Sequence, residues 1–373
     1  MNILFVSEDF YPLMEGGGHF VIWRLANGLT GRGHRVQVVT RRIAGSAEHE
    51  VVNGIDVYRP FPCGDGLIQR TWFSVRLYFY LRAFLKDRSI DVMYNHAYSV
   101  TMPSTLAASR HHIPAVTSVR ALAGKTSFTF RSPVLAALYY ATEKLIIRLG
   151  RHAVLQFPSE HSRRMAEPDT RTRSAVIYDP FDTDEIRRTL ANTDVRKTRG
   201  LLGADKEDQL LLFVGSLSPL KNVTGLLGVL GNLKLRFKLV IIGEGPQRSK
   251  IEQKVAETGL RTRVSLLGQR PHDETLSAMA SCDVLILPSH SEQFPNVVVE
   301  ALMLGRPVIA RKVGGVSEIE SANLYLVDSV DQIPSLLENG IEPKEDKGIL
   351  DRYSIDRTAG EFEGLFQSVV SQL

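Results

Sequence analysis

The chain has 373 residues, of which 43% are hydrophobic and 23% charged, and its formal net charge is +4. That composition excludes a disordered chain, and the length is comfortable for two domains rather than one core. Two cysteines, Cys63 and Cys282, stand far apart without metal spacing, which suits a reducing cytoplasm.

The charge is uneven. Residues 1–178 carry 22 Lys and Arg against 13 Asp and Glu, a net +9, whereas the remainder carries 23 against 28, a net −5. Either the first half meets something anionic, or this is ordinary surface scatter. Residues 1–7, MNILFVS, read directly as a strand with no basic n-region or cleavage site, so no secretory signal is expected. The longest apolar candidate, residues 133–149, is interrupted by Glu143, Lys144 and Arg148 and is too broken to span a bilayer.

In chain order, residues 3–7 form an apolar strand, followed by a Pro/Gly loop that ends in Gly16, Gly17 and Gly18. Residues 20–30 have helical spacing, with Val21, Leu25 and Leu29 on one face, and residues 36–39 are the next strand. This βαβ unit demands a parallel sheet. Strands are expected at 55–58, 91–94, 115–119 and 153–157. The stretch 70–86 mixes aromatics with basic residues. It reads either as a helix whose aromatic face is core, the favoured reading, or as an interfacial helix on anionic lipid.

After a polar stretch at 187–208 the pattern restarts, with strands at 210–214, 239–242, 264–266, 284–287 and 307–310 and a helix from about Val223. Two doubly wound modules imply two Rossmann-like domains facing across a cleft. The expected division is 1–180, 181–352 and a closing helix at 353–373.

Four motifs bear on chemistry. Gly16, Gly17 and Gly18 sit between strand and helix, where backbone N–H groups approach anions, or they are a plain flexible loop. Gly215-Ser216-Leu217 ends a strand, and Lys221 follows at the approach to a helix, where it can act as a point charge on phosphate. Residues 241–246, IIGEGP, turn from strand to helix through Gly243, but Arg248 breaks G-x-G-x-x-G, so an NAD enzyme is disfavoured. Glu292 and Glu300 lie after the strand at 284–287 with seven residues between them. A helix read from Val297 places Glu300 about two turns inside and Glu292 in the loop before it. The pair therefore suits gripping two parts of one elongated ligand rather than adjacent acid/base work. Asp182 and Asp184 read as a solvated turn rather than a metal-binding D-x-D, and the lone histidines, His96 and His272 among them, lack metal spacing.

Together these motifs resemble the retaining glycosyltransferases of family 4, which have the GT-B fold. The resemblance covers nearly the whole chain and is most specific at 207–319, in LPSHSEQFPNVVVEALMLGRPVIARKVGGVSEI, IIGEGP and GQRPHDETLSAMASCDVLILPS. It implies metal-independent transfer of a sugar from a nucleotide-diphosphate sugar carrying UDP or GDP, with no cofactor. The acceptor would be a glycan, a glycolipid or a lipid-linked precursor. By resemblance the donor site comprises Gly16, Gly17, Gly18, Gly215, Ser216, Lys221, Gly243, Arg270, Phe294, Pro295, Asn296, Val297 and Glu300. Lys221 would bind the diphosphate, Glu300 the ribose and Glu292 the transferred sugar. Glu292, Lys221 and Arg120 would be catalytic, with His19, His96 and Arg120 towards the acceptor. The closing helix would cross back to the first domain. The expected setting is cytoplasmic, extending to peripheral contact with an anionic inner membrane face, and without nucleic acid.

Two positions depart from the family. It usually carries arginine where Ser216 stands, and a histidine where Arg120 follows the strand at 115–119. Arg120 is expected to supply the charge lost at Ser216. A degenerate GT-B subunit that binds nucleotide or a partner, and a GT-B epimerase acting on UDP-N-acetylglucosamine, stay open as alternatives.

Overall fold

The computed structural model describes all residues except 14–16, 65, 97, 121–132, 134–136, 138, 139, 142, 146, 148–152, 167–172, 347 and 373. The chain divides into two compact units, Met1–Phe181 with Ser354–Leu373, and Asp182–Tyr353.

The first unit is built on β1 (Asn2–Ser7), β2 (Arg35–Val39), β3 (His49–Val52), β4 (Ile55–Tyr58), β5 (Val92–His96), β6 (Ala115–Ser118), β7 (Val154–Phe157) and β8 (Ser174–Val176). Its helices include α1 (Gly17–Gly31), α2 (Leu67–Phe84), α3 (Tyr98–Arg110) and α4 (Glu160–Ala166). Strand order is β3-β4-β2-β1-β5-β6-β7-β8, and every pairing is parallel except β3 with β4. Central β1 is buried on both faces, which is why it reads as an unbroken apolar run.

The second unit holds α5 (Thr183–Asn192), α6 (Val195–Leu201), β9 (Gln209–Val214), α7 (Val223–Leu230), β10 (Phe237–Ile242), α8 (Arg248–Glu257), β11 (Val264–Gly268), α9 (His272–Ser281), β12 (Val284–Leu287), α10 (Asn296–Met303), β13 (Val308–Arg311), β14 (Leu324–Val327), α11 (Ile333–Glu338) and α12 (Gly348–Arg352). The sheet is wholly parallel in the order β11-β10-β9-β12-β13-β14. The polar stretch at 187–208 is thus not a bare linker: it contributes α5 and α6, each started by an aspartate cap.

The chain then returns to the first unit as α13 (Ile355–Val370). Phe362 and Phe366 meet the Tyr94 ring at 5.5 and 6.0 Å, and Glu363 pairs with Arg32 at 2.7 Å. A Cβ at Gly28 would lie 2.5 Å from Ile355 Cγ2 and 3.1 Å from Ala359 Cβ, so glycine there lets α1 approach α13. The closing helix expected at 353–373 spans Ile355–Val370 and is separate from α12 before it. Ser354 lies between them, and its side chain caps α13 by accepting from Arg357 N.

Candidate functional site

In the second unit the strand order reverses between β9 and β12, and the loops after these two strands meet at that switch point. Lys221, at the end of a 3-10 turn after β9, donates its Nζ to Glu292 Oε1 at 2.6 Å. His290 N donates to Leu220 O at 2.7 Å and Asn222 Nδ2 to Pro288 O at 3.3 Å, so the two loops are laced together. Asn222 takes the left-handed conformation (φ 51°) that turns the chain into α7, a geometry asparagine tolerates better than most residues. Burial and the charge of Arg311 hold the His290 imidazole below its ordinary pKa, so it stays neutral and its Nδ1 accepts Arg311 Nη1 at 2.9 Å.

The glycines beside this lacing have a packing reason. Gly243 has φ +143°, and a Cβ there would sit 1.9 Å from the Gly215 carbonyl oxygen. The strand ends after β9 and β10 can approach each other this closely only without side chains. Gly215 N bonds Ile242 O at 3.0 Å and Leu217 N bonds Glu244 O at 2.8 Å. Ser216 is exposed at the tip of this turn. Arg270 is exposed after β11, with Glu274 at 3.7 Å.

Pro295 caps α10 by position, without a side-chain cap bond, and Asn296 and Val297 open its first turn. Phe294 is buried, its ring 5.8 Å from that of Tyr353. Because the helix starts at Asn296, Glu300 lies just over one turn inside it, not two. Its buried carboxylate has His272 Nε2 at 3.7 Å, and the same nitrogen lies 3.6 Å from Glu185. Glu292 and Glu300 thus have different basic partners, Lys221 and His272.

In the first unit the order reverses between β1 and β5. Gly16 lies outside the described residues; Gly17 and Gly18 begin α1. His19 reaches Asp9 at 3.4 Å, and Arg41 donates to Asp9 at 2.5 Å. Burial opposes ionisation of Asp9, but the hydrogen bonds from His19 and Arg41 outweigh it and hold its carboxyl below the ordinary value. His96 closes β5 and is buried. Burial first, then the charges of Arg120 and His19, push its pKa well below the ordinary value, so it is neutral at pH 7. Its Nδ1 is buried without a hydrogen-bond partner among the described residues.

Arg120 does not stand as a spare charge. Its guanidinium forks onto Asp179, with Nη1 at 2.9 and 3.2 Å from the two carboxylate oxygens and Nη2 also donating to Oδ1. A charge already matched by a buried carboxylate of its own unit does not replace the arginine missing at Ser216. Asp179 escaped the sequence reading, as did Asp9 and His290; each lies at a strand end or inside a motif, but its partner is remote in sequence. Asp182 is a helix cap, accepting from Asp184 N at 2.9 Å and Glu185 N at 3.0 Å, which accounts for the aspartates read there. Among the described residues no group of three or more His, Cys, Asp and Glu is arranged to hold a metal ion.

Residues 15–185 match the family "Glycosyltransferase Family 4" and residues 194–347 match "Glycosyl transferases group 1". An uncharacterized glycosyltransferase of Methanocaldococcus jannaschii is 27% identical over 336 residues, covering 86% of this chain and 82% of that protein. Among solved structures, sucrose-phosphate synthase from Thermosynechococcus elongatus superposes with a TM-score of 0.82 at 18% identity, covering 100% of both chains. Anabaena HepE in complex with UDP-glucose gives 0.75 at 19% identity, covering 99% of this chain and 100% of that one. The fold is GT-B, the two-domain architecture of sugar-nucleotide transferases. Within that class, the chain belongs to the family-4-type glycosyltransferases.

Proposed function

We propose that the chain transfers a sugar, with retention of configuration and without a metal, from a UDP- or GDP-sugar to a glycan or lipid-linked acceptor. The observation that carries this reading is the Lys221–Glu292 contact at the switch point of the second unit, in the loop that leads into the N-terminus of α10. A leaving nucleoside diphosphate gathers negative charge, and an ammonium with preorganised N–H donors is what stabilises it. Lys221 takes the diphosphate and Glu292 the hydroxyls of the transferred sugar, which frees the ammonium as the donor arrives. Phe294, Asn296 and Val297 offer backbone N–H groups to the same sugar; Pro295 has none. Glu300, steadied by His272, accepts from the ribose hydroxyls. His19, His96 and the Arg120–Asp179 pair form the acceptor side, where the orphaned Nδ1 of His96 can meet a hydroxyl. The UDP-glucose held by HepE supports a nucleotide-sugar donor.

One observation favours a second reading, a subunit that binds nucleotide without turnover: Ser216 carries no charge and that of Arg120 is spent on Asp179. The two readings part on one assay. Incubation with a panel of UDP- and GDP-sugars and with glycan and lipid-linked acceptors releases free nucleotide if the chain is a transferase. Saturable nucleotide binding without release, across the panel, would establish the binding subunit instead.

A further inference from the structure

Six of the thirteen exposed large apolar side chains of the described residues fall on two neighbouring helices of the first unit, Ile68, Trp72, Val75 and Phe79 on α2 and Met102 and Leu106 on α3. Ser74 Oγ donates to Ser99 O at 2.7 Å, tying the two helices side by side. The α2 residues stand at i, i+4, i+7 and i+11, a single stripe about 16 Å long. The opposite face of the same helix, Phe73, Leu77, Leu81 and Phe84, is core. A helix that is apolar on both sides has to cover both, yet here Ile68 is 85% exposed, Trp72 63% and Phe79 62%. The sequence reading set a core helix against an interfacial one; the structure shows one helix with a buried apolar face and an exposed apolar face.

We propose that the α2–α3 face seats the protein on an anionic lipid surface. Charge complementarity selects that occupant. Arg76, Lys86, Arg88 and Arg110 are exposed on or beside the stripe, against one exposed acid there among the described residues, Asp87. A tryptophan and a phenylalanine ringed by arginine and lysine are the mix that settles at the headgroup level. Their apolar rings enter the acyl boundary while the basic side chains, with long alkyl stems, reach the phosphates. The proposal deepens the lipid-linked branch of the acceptor reading, but its evidence is separate from it: exposure and charge on helices remote from Lys221, Glu292 and Glu300 in sequence. A soluble partner or a second copy of this chain would use the apolar stripe without needing the basic rim.

The test is flotation of the full chain with vesicles of phosphatidylcholine alone and of phosphatidylcholine mixed with phosphatidylglycerol, without donor or acceptor. The expected result is binding only to the anionic vesicles, lost in high salt. Trp72 fluorescence should shift to the blue in a manner abolished by Trp72→Phe; Trp23, packed against Phe10 and Tyr11, supplies the unchanged background. Trp72→Ser with Phe79→Ser should weaken binding about tenfold per residue, and Arg76→Gln with Lys86→Gln about fivefold per charge. Circular dichroism confirms that these surface variants fold. No binding at any anionic fraction overturns the proposal, as does binding that the serine variants leave unchanged. Self-association in the absence of lipid, removed by the same variants, would assign the face to a second copy. Nucleotide release is scored separately on the same samples, so failure of the transferase reading and failure of this surface remain distinguishable.

Discussion

Replacing Lys221 with methionine tests the Lys221–Glu292 contact on which the proposed donor site turns. The ammonium and the Glu292 carboxylate are 2.6 Å apart, with side-chain exposures of 23% and 8%. At an effective dielectric of about 20 the gross attraction is about 6 kcal/mol. Desolvation of the carboxylate and screening of the exposed lysine cancel most of it, leaving about 1–2 kcal/mol of net coupling. The two single changes should differ. Lys221→Met strands a buried carboxylate and should cost about 2–3 kcal/mol, a fall of roughly 5–10 °C in the melting of the second unit. Glu292→Gln leaves a lysine that can turn to water and should cost about 1 kcal/mol. The double variant should then be less damaged than the sum by about 1–2 kcal/mol. Scanning calorimetry of the two singles and the double measures this. Additive effects, within about 0.5 kcal/mol, would refute the pairing.

Two further outcomes follow from other parts of the fold. Gly243→Ala should destabilise the second unit by about 3 kcal/mol or more, because its Cβ meets the Gly215 carbonyl at 1.9 Å. Gly18→Ala, with nothing of the described residues within 4 Å of the new methyl, should melt within about 0.5 kcal/mol of the parent; equal losses in the two would refute the packing argument. His96 has its pKa depressed in the folded state, so below pH 6.5 the unfolded chain takes up a proton that the native one refuses. Its contribution to stability is therefore full above that pH and is lost as pH falls, with a slope approaching about 1.4 kcal/mol per pH unit. Unfolding by urea at pH 7.5 and at about pH 5.5 should show His96→Gln to be less acid-sensitive than the parent, and an unchanged slope would contradict the burial of a neutral imidazole.

Much of the framework was legible because buried parallel strands announce themselves as apolar runs. Strands β4 and β12 and the start of α7 were read to the residue, and the other named strands to within one or two. The strands missed are those without that signal. β3, His49–Val52, is an exposed antiparallel edge of four residues; β8 has three half-buried ones; β14 buries only Val327. At the site, Glu292, Glu300 and Lys221 were legible as motif residues. Their partners were not, since Lys221 and Glu292 are 71 positions apart and Arg120 and Asp179 are 59 apart, and only the sheet order brings them together. The depth of Glu300 was misjudged by count rather than by boundary: a start at Val297 already puts it less than one turn inside, and the observed start at Asn296, after Pro295, places it in the second turn.

Calorimetric titration of UDP and GDP into Glu300→Ala and Glu292→Ala tests the division of labour at the donor site most directly. Loss of Glu300, the carboxylate proposed to accept from ribose, should weaken the preferred nucleotide about ten- to hundredfold. Loss of Glu292 should leave nucleotide affinity within about threefold, or tighten it, because Lys221 is released to the diphosphate, while sugar transfer falls by about a hundredfold or more. Equal losses of affinity in the two variants, or none with Glu300→Ala, would contradict it.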